Sequence, residues 1–225
     1  MTKRIAVLLA GCGCFDGSEI HESVLSLLAI KQQGADYQCF SIEDDQFQVT
    51  NHSINKVVND EHRNMLVESA RIARGDIKAI ATLDPIKYDA LIIPGGFGVA
   101  HNLCDFALKQ NDFTVRADVS ALCQKFTELK KPVGFICIAP IMITKIYHDV
   151  CKRNKQAINM TLGNDVNIAQ LVNNLGMNHV TTNFNEACVD HNYKIVTTPA
   201  YMLAEDITQV YLGVGELVKQ VLMLC

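Results

Sequence analysis

The chain has 225 residues, 49% of them apolar and 20% charged, with a formal charge of −4. That length and composition fit one large domain spanning residues 1–225 with an ample core. An acidic chain without a basic stripe excludes a sequence-independent grip on nucleic acid, which needs clustered Lys and Arg.

The first apolar run, Arg4–Ala10 ("RIAVLLA"), reads as a buried strand. With its basic start and the "AGC" that follows it imitates a lipoprotein signal. The run Ile5–Ala10 is only six residues, however, below the roughly 7–15 that a signal requires. The uncharged stretch Pro132–Thr144 is too short to cross a bilayer, so a soluble, cytoplasmic protein with no membrane partner is expected. "EIHESVLSLLAIKQQG" predicts a helix with Ile20, Val24, Leu27 and Leu28 at helical spacing and Gly34 as its stop. Asp16 or Ser18 is its expected N-cap, with Glu19 in the first turn, where an acid complements the dipole.

Tyr37–Ile42 is a second strand; Glu43–Asn55 is polar with some β character, and a helix is predicted over Asp60–Arg74. "IKAIATL" (Ile77–Leu83) is a short strand, and Tyr88–Gly98 a buried strand ending in a glycine turn. Helices follow at Asn102–Lys109 and Thr114–Leu129, then the strand Pro132–Ile136 and a helix over Cys137–Tyr147, with Pro140 tolerated in its first turn. "CKRNK" (Cys151–Lys155) reads as a solvated loop. The last third offers the strand Ile158–Leu162, a helix near Ile168–Leu175, a hairpin turning at His191–Tyr193, and a final helix from Met202 to about Met223. Strands alternating with helices predict an α/β fold: a mostly parallel sheet with helices on both faces, and ligands bound beyond the carboxyl ends of the strands.

Nine cysteines is an odd number, and most sit inside apolar segments. That usage suits small buried side chains in a reducing compartment rather than a disulfide framework or a zinc site, and no metal or cofactor is expected. "GCGCFDG" (Gly11–Gly17) is one residue too long for a dinucleotide fingerprint. "PGG" (Pro94–Gly96) is either a tight turn or an oxyanion hole, because Gly95 and Gly96 carry no Cβ to keep their N–H groups from a ligand. His101 and Asn102, just after this turn, are candidates for the pocket mouth. Cys137 lies between a strand and a helix. It is either buried filler or a nucleophile whose thiolate the helix N-terminus favours, with the Ile138 amide pointing at charge on a bound carbonyl.

The strings "GCGCFDGSEIHE", "IPGGFG", "GFICIAP" and "KIVTTPAYMLAEDI", spanning Arg4 to Leu224, resemble the PfpI superfamily of class I glutamine amidotransferase-like proteins. Within it they resemble the ElbB branch, named for a bacterial glyoxalase once linked to isoprenoid biosynthesis. The resemblance implies a flavodoxin-like three-layer sandwich, a nucleophilic Cys on an elbow and a Glu from the first helix touching it. Cys137 matches the nucleophile, and counting 12 residues back from Gly34 gives Glu22 as the acid/base, with Glu19 as second choice. By its helical wheel alone, Glu22 lies roughly opposite Val24 and reads as a solvated charge. His148, His179 and His191 do not fit an amidotransferase His-x-Glu, and the slot where many relatives carry a His is Gly163-Asn164-Asp165 here. Amidotransferase and peptidase chemistry, which need a proton donor for an amine leaving group, are thereby disfavoured.

The resemblance thus implies a glutathione-independent glyoxalase. Cys137 adds to a small 1,2-dicarbonyl, Glu22 shuttles a proton, and Gly96 and Ile138 amides hold the oxyanion; deglycation of protein adducts would be the same chemistry. A homodimer is implied as well. Cys12 and Cys14 end the first strand, near the end of the Cys137 strand, and the alternative is a redox sensor or stress-response binding protein in which such a cysteine, Cys12 the named candidate, resolves oxidised Cys137.

Overall fold

The computed structural model describes residues 2–225. In chain order its elements are β1 (Arg4–Leu8), α1 (Ile20–Gln32), β2 (Asp36–Ser41), β3 (Val49–Asn51), β4 (Lys56–Val58), α2 (Met65–Ile72), β5 (Ile77–Ala79) and β6 (Ala90–Ile93). They continue with α3 (Phe106–Lys109), α4 (Ala117–Glu128), β7 (Val133–Ile136), α5 (Ile143–Ile146), α6 (His148–Asn154), β8 (Asn159–Met160) and α7 (Val166–Asn174). β9 (Asn178–His179), β10 (Cys188–Asp190), β11 (Ile195–Thr198) and α8 (Ile207–Leu224) complete the fold.

Seven strands form one sheet in the order β10-β11-β7-β6-β1-β2-β5. Every pairing in it is parallel except β10 with β11. The continuous apolar runs of β1, β6, β7 and β11 follow from burial on both faces. Along β1, Ala6 and Leu8 face a core with Phe40, Leu91, Phe126 and Phe135, while Ile5 and Val7 face one built with Leu27, Ile30, Val214 and Leu217. This is the expected flavodoxin-like three-layer sandwich.

Several local expectations are corrected. Of the four apolar positions assigned to the core face of α1, only Leu27 is buried; Ile20, Val24 and Leu28 are 42%, 45% and 43% exposed. The helix instead buries Glu22, Ser23, Ser26, Leu27, Ala29 and Ile30. Ser23 Oγ donates to the Glu19 carbonyl (2.6 Å) and Ser26 Oγ to that of Glu22 (2.7 Å), so small hydroxyls pack without an unpaired donor. Glu19, not Asp16 or Ser18, is the N-cap, its Oε2 accepting from the Glu22 N–H at 2.7 Å.

The helix expected over 60–74 starts only at Met65, where Asn64 Oδ1 caps the Leu66 and Val67 amides. The polar stretch before it forms the β3–β4 hairpin. Ile77–Leu83 is extended only to Ala79 and then becomes a 3₁₀ turn. The helix expected over 102–109 is a π turn, Val99–Leu103, followed by the four-residue α3. Cys137–Tyr147 is likewise broken into a 3₁₀ turn, Ala139–Met142, and α5. Residues 151–154, read as loop, lie in α6 and bury Cys151 against Met177. The strand expected over 158–162 is the two-residue β8, paired with β9 outside the main sheet. The last helix begins at Ile207, where Asp206 Oδ1 caps the Gln209 amide. The hairpin at 191–193 forms as expected, with Asp190 Oδ1 accepting from the Asn192 and Tyr193 amides at 3.0 Å each.

Candidate active site

β7 delivers Cys137 beyond its carboxyl end, and the residue turns there with φ +62°. For a residue with a Cβ that left-handed conformation costs roughly 1 kcal/mol or more. The Cys137 N–H donates to the Thr198 carbonyl (2.9 Å), tying the turn to the end of β11. The strained elbow places the sulfur at the junction of β7, the loop after β6, the start of α1 and the loop after β11.

Glu22 is fully buried beneath this thiol. Its Oε2 accepts from the Gly95 N–H (2.9 Å) and its Oε1 from the Tyr201 N–H (3.3 Å), and Gly95 packs the carboxyl and Cys137 side by side. Gly95 is obligatory by space: a Cβ there would lie 2.5 Å from Cys137 Cβ and 2.7 Å from Glu22 Oε2. The Gly95 carbonyl accepts from the Glu19 N–H (2.9 Å), so the strand turn and the N-terminus of α1 lock together. Close packing also explains the glycines of the first loop. A Cβ on Gly98 would lie 2.4 Å from the backbone of Gly17.

Burial, and then the Glu19 charge, push the Glu22 carboxyl up to about 8, against hydrogen bonds from Cys137, Tyr201 and Gly95. Burial and the neighbouring Glu22 likewise push the Cys137 thiol well up, against the amides of Gly96 and Ile138 directed at the sulfur. The expected standing thiolate is thereby corrected. The segment after Cys137 is a 3₁₀ turn rather than a long helix, and the field at its start is outweighed by desolvation and a carboxylate. Burial thus works against a standing thiolate, and the thiol needs Glu22 as acceptor to react.

The thiol is 8% exposed, at the wall of a cavity of about 440 Å³ lined also by Cys14, Glu19, Gly96, Phe97, Ile138, Tyr201 and Met202. Of the candidates named from sequence, Cys137, Glu22, Glu19, Gly96 and Ile138 come together here. Gly95 is adjacent, but its N–H serves the Glu22 carboxylate and not an oxyanion. Asn102 does not line the cavity: its Nδ2 donates to the Ala10 and Asp16 carbonyls (3.0 and 2.9 Å) and its Oδ1 accepts from Phe47 N–H (2.9 Å), pinning loops together. His101 stacks on Phe47, also away from the thiol. Cys12 does not line the Cys137 cavity, and the cysteine that shares it is Cys14. A shift of two residues along an irregular loop reverses a side chain, which strand-end reasoning does not resolve.

Tyr201 and Met202, in the segment Thr197–Leu203 that the family resemblance offers as a pocket lining, do line the cavity; the Tyr201 N–H donates to Glu22 and its hydroxyl pairs with His21 Nδ1 at 2.7 Å. His21 therefore touches the site wall through Tyr201 rather than the reacting centre.

No family model matches the chain. It is 37% identical over 230 residues to the rat (Rattus norvegicus) "ES1 protein homolog, mitochondrial", covering 98% of this chain and 84% of that one. It is 36% identical over 230 residues to the human (Homo sapiens) "Glutamine amidotransferase-like class 1 domain-containing protein 3, mitochondrial", covering 98% and 83%. Among solved structures, an isoprenoid biosynthesis protein with amidotransferase-like domain from Ehrlichia chaffeensis superposes with TM-score 0.90 at 33% identity, over 99% of both chains. Drosophila melanogaster DJ-1beta shares the fold, with TM-score 0.56 at 14% identity over 100% of this chain and 96% of that one. The elbow cysteine, the carboxyl beneath it and these likenesses agree, and the chain belongs to the family of glutamine amidotransferase-like class 1 domain proteins.

Proposed function

We propose that the protein is a glyoxalase acting on small 1,2-dicarbonyls through Cys137 and Glu22. The observation that carries this reading is the close packing of the Cys137 thiol and the Glu22 carboxyl against Gly95, with Cys137, Gly96 and Ile138 at the wall of one cavity. Cys137 Sγ adds to an aldehyde carbon as its proton passes to Glu22, giving a hemithioacetal whose oxygen the Gly96 and Ile138 amides stabilise. Glu22 passes the thiol's proton on to the hemithioacetal oxygen; as carboxylate it then removes the proton on the sulfur-bearing carbon and returns it to the neighbouring carbon through an enediol, the hydroxyl proton ending on the second oxygen, which leaves a thioester. Water cleaves the thioester, releasing a 2-hydroxy acid and the thiol; glyoxal plus water yields glycolate. Deglycation of protein adducts would follow the same steps on a larger substrate. The test is glycolate formation from glyoxal under reducing conditions.

The proton inventory gives a pH prediction. Because Glu22 must accept the thiol proton, kcat/KM should rise with pH through about 8, the value to which Glu22 is pushed. Glu22→Gln should lose that limb together with roughly 10²–10⁴-fold of kcat/KM. Stability should run the opposite way. The folded chain holds the Glu22 proton up to about 8 whereas the unfolded chain releases it near 4.5, so stability falls as pH rises through that window. Melting curves of wild type should therefore slope downward between those values more steeply than those of Glu22→Gln.

A redox sensor is the second reading, favoured by Cys14 in the same cavity. Against it, burial pushes both thiols up, and the standing thiolate is the species that peroxide oxidises. Low peroxide should leave Cys137 largely reduced over the time in which glyoxal is turned over. Its selective oxidation with negligible turnover would reverse the choice.

Homodimer formation and a cytoplasmic, reducing location belong to the same proposal. The reducing location is supported by the nine free cysteines; against a cytoplasmic one stand the two mammalian relatives, which are named as mitochondrial. The exposed stripe Ile20, Val24 and Leu28 on α1 would be covered by a second copy. Light scattering should report a dimer for wild type and a monomer for Val24→Glu.

A further inference from the structure

The wall of the Cys137 cavity carries charge of one sign. Glu19 lines it and no lysine or arginine does; the remaining lining is Phe97, Ile138, Tyr201 and Met202 with the two thiols and Gly96. The volume, about 440 Å³, also exceeds what glyoxal needs. A water molecule's share of liquid is about 30 Å³, so a four-heavy-atom dialdehyde leaves most of the space unfilled. Phe97, 55% exposed, stands at the rim as an apolar surface awaiting a cover. Gly96 and Ile138 line the cavity beside Cys137 without adding a charged group to it.

Glu19 is more than a cap. Capping α1 requires only an acceptor oxygen, which Ser, Asn or Asp provides from a shorter side chain. The longer carboxylate reaches the cavity wall while its Oε2 still holds the Glu22 amide. A cleft of low-dielectric walls focuses the field of such a charge.

From an acid-lined, cation-free, apolar cavity around Cys137, we infer that the site selects carbonyl compounds carrying an uncharged apolar substituent and rejects those carrying a carboxylate or phosphate beside the reacting carbon. The inference rests on Cys137 being the reacting group of the proposed function, and it names the substrate class. A 2-oxo acid or sugar phosphate meets Glu19 with no compensating cation, whereas an aryl or alkyl dicarbonyl covers Phe97, Tyr201 and Met202.

Two arms test it. In the first, Cys137 is alkylated at pH 8 with iodoacetamide or iodoacetate, a neutral and an anionic reagent of nearly equal size, and modification is followed at the Cys137 peptide by mass spectrometry. In both reactions the sulfur displaces iodide from carbon. The amide-to-acid rate ratio, normalised to that of a free small thiol, should be at least tenfold in wild type and shrink at high salt. It should fall within threefold in Glu19→Gln. Should that variant fold poorly, Glu19→Asn keeps a preferred cap without the charge. In the second arm, kcat/KM for phenylglyoxal should exceed that for glyoxal and that for 4-carboxyphenylglyoxal by tenfold or more, and Phe97→Ala should narrow the first gap. Equal normalised alkylation rates, an unchanged ratio in both Glu19 variants, or glyoxal outperforming phenylglyoxal would overturn the inference. The first arm needs no turnover. Charge selection without conversion of any dicarbonyl would sink the proposed function and leave the selectivity standing, and turnover without selection would do the reverse.

Discussion

Cys137→Ala and Cys137→Ser should lower glyoxal turnover by roughly 10⁴-fold or more, the scale seen when a covalent nucleophile is removed. Alanine has no group to add to the carbonyl, and serine presents a far less acidic hydroxyl to a carboxyl already pushed up to about 8. Neither variant should unfold, because the elbow depends on its backbone bond to Thr198 and not on the sulfur. The strain at φ +62° supplies an internal control. Cys137→Gly should be equally inactive yet melt at or above Cys137→Ala, since glycine escapes a left-handed penalty of about 1 kcal/mol, which for a chain of this size moves Tm by about 2–4 °C. Retained turnover in Cys137→Ala ends the covalent mechanism. A Gly variant clearly less stable than the Ala variant ends the claim of a strained elbow.

Gly95→Ala should be nearly as damaging despite adding one methyl group. Its Cβ would meet Cys137 Cβ at 2.5 Å, Glu22 Oε2 at 2.7 Å and the Ile136 carbonyl at 2.9 Å, so thiol and carboxyl must part or the β6 turn must move. Overpacking of this kind costs about 1–3 kcal/mol. Displacing the acid/base from its nucleophile by about 1 Å costs on the order of 10²-fold in rate. Gly215→Ala in α8 is the matched control: a Cβ there meets nothing within 4 Å, and helix propensity favours alanine by up to about 1 kcal/mol. It should be active and no less stable than wild type. A fully active Gly95→Ala chain would show that the reaction does not require Cys137 and Glu22 to stay together.

How much of this was legible beforehand differs from residue to residue. The buried strands were plain, because a strand covered on both faces must be apolar at every position, as "VGFI" and "ALII" are. Cys137 stood out by its place between such a strand and a turn. Glu22 was legible only through a family resemblance. The wheel of α1 pointed the other way, since Ile20, Val24 and Leu28 look like a core face and the serines beside Glu22 look like a wet one. Burying Ser23, Ser26 and Glu22 becomes acceptable only when the Glu19 and Glu22 carbonyls and the Gly95 and Tyr201 amides pair with them. Two of those amides belong to segments far along the chain.

Read alone, the amino-acid order determined the α/β class and the apolar strands, because these depend on local periodicity and on residues adjacent in the chain; it left Cys137 open between buried filler and nucleophile, and only the family resemblance made it an elbow. Only the tertiary structure decided that Gly95 holds Glu22 instead of an oxyanion, that Cys14 and not Cys12 shares the cavity, that Tyr201 lines it, and that burial and Glu22 push the thiol up. Each of these depends on which side chains from distant segments meet in one desolvated space. Desolvation and pairing are properties of that space, which no single segment of the chain encodes.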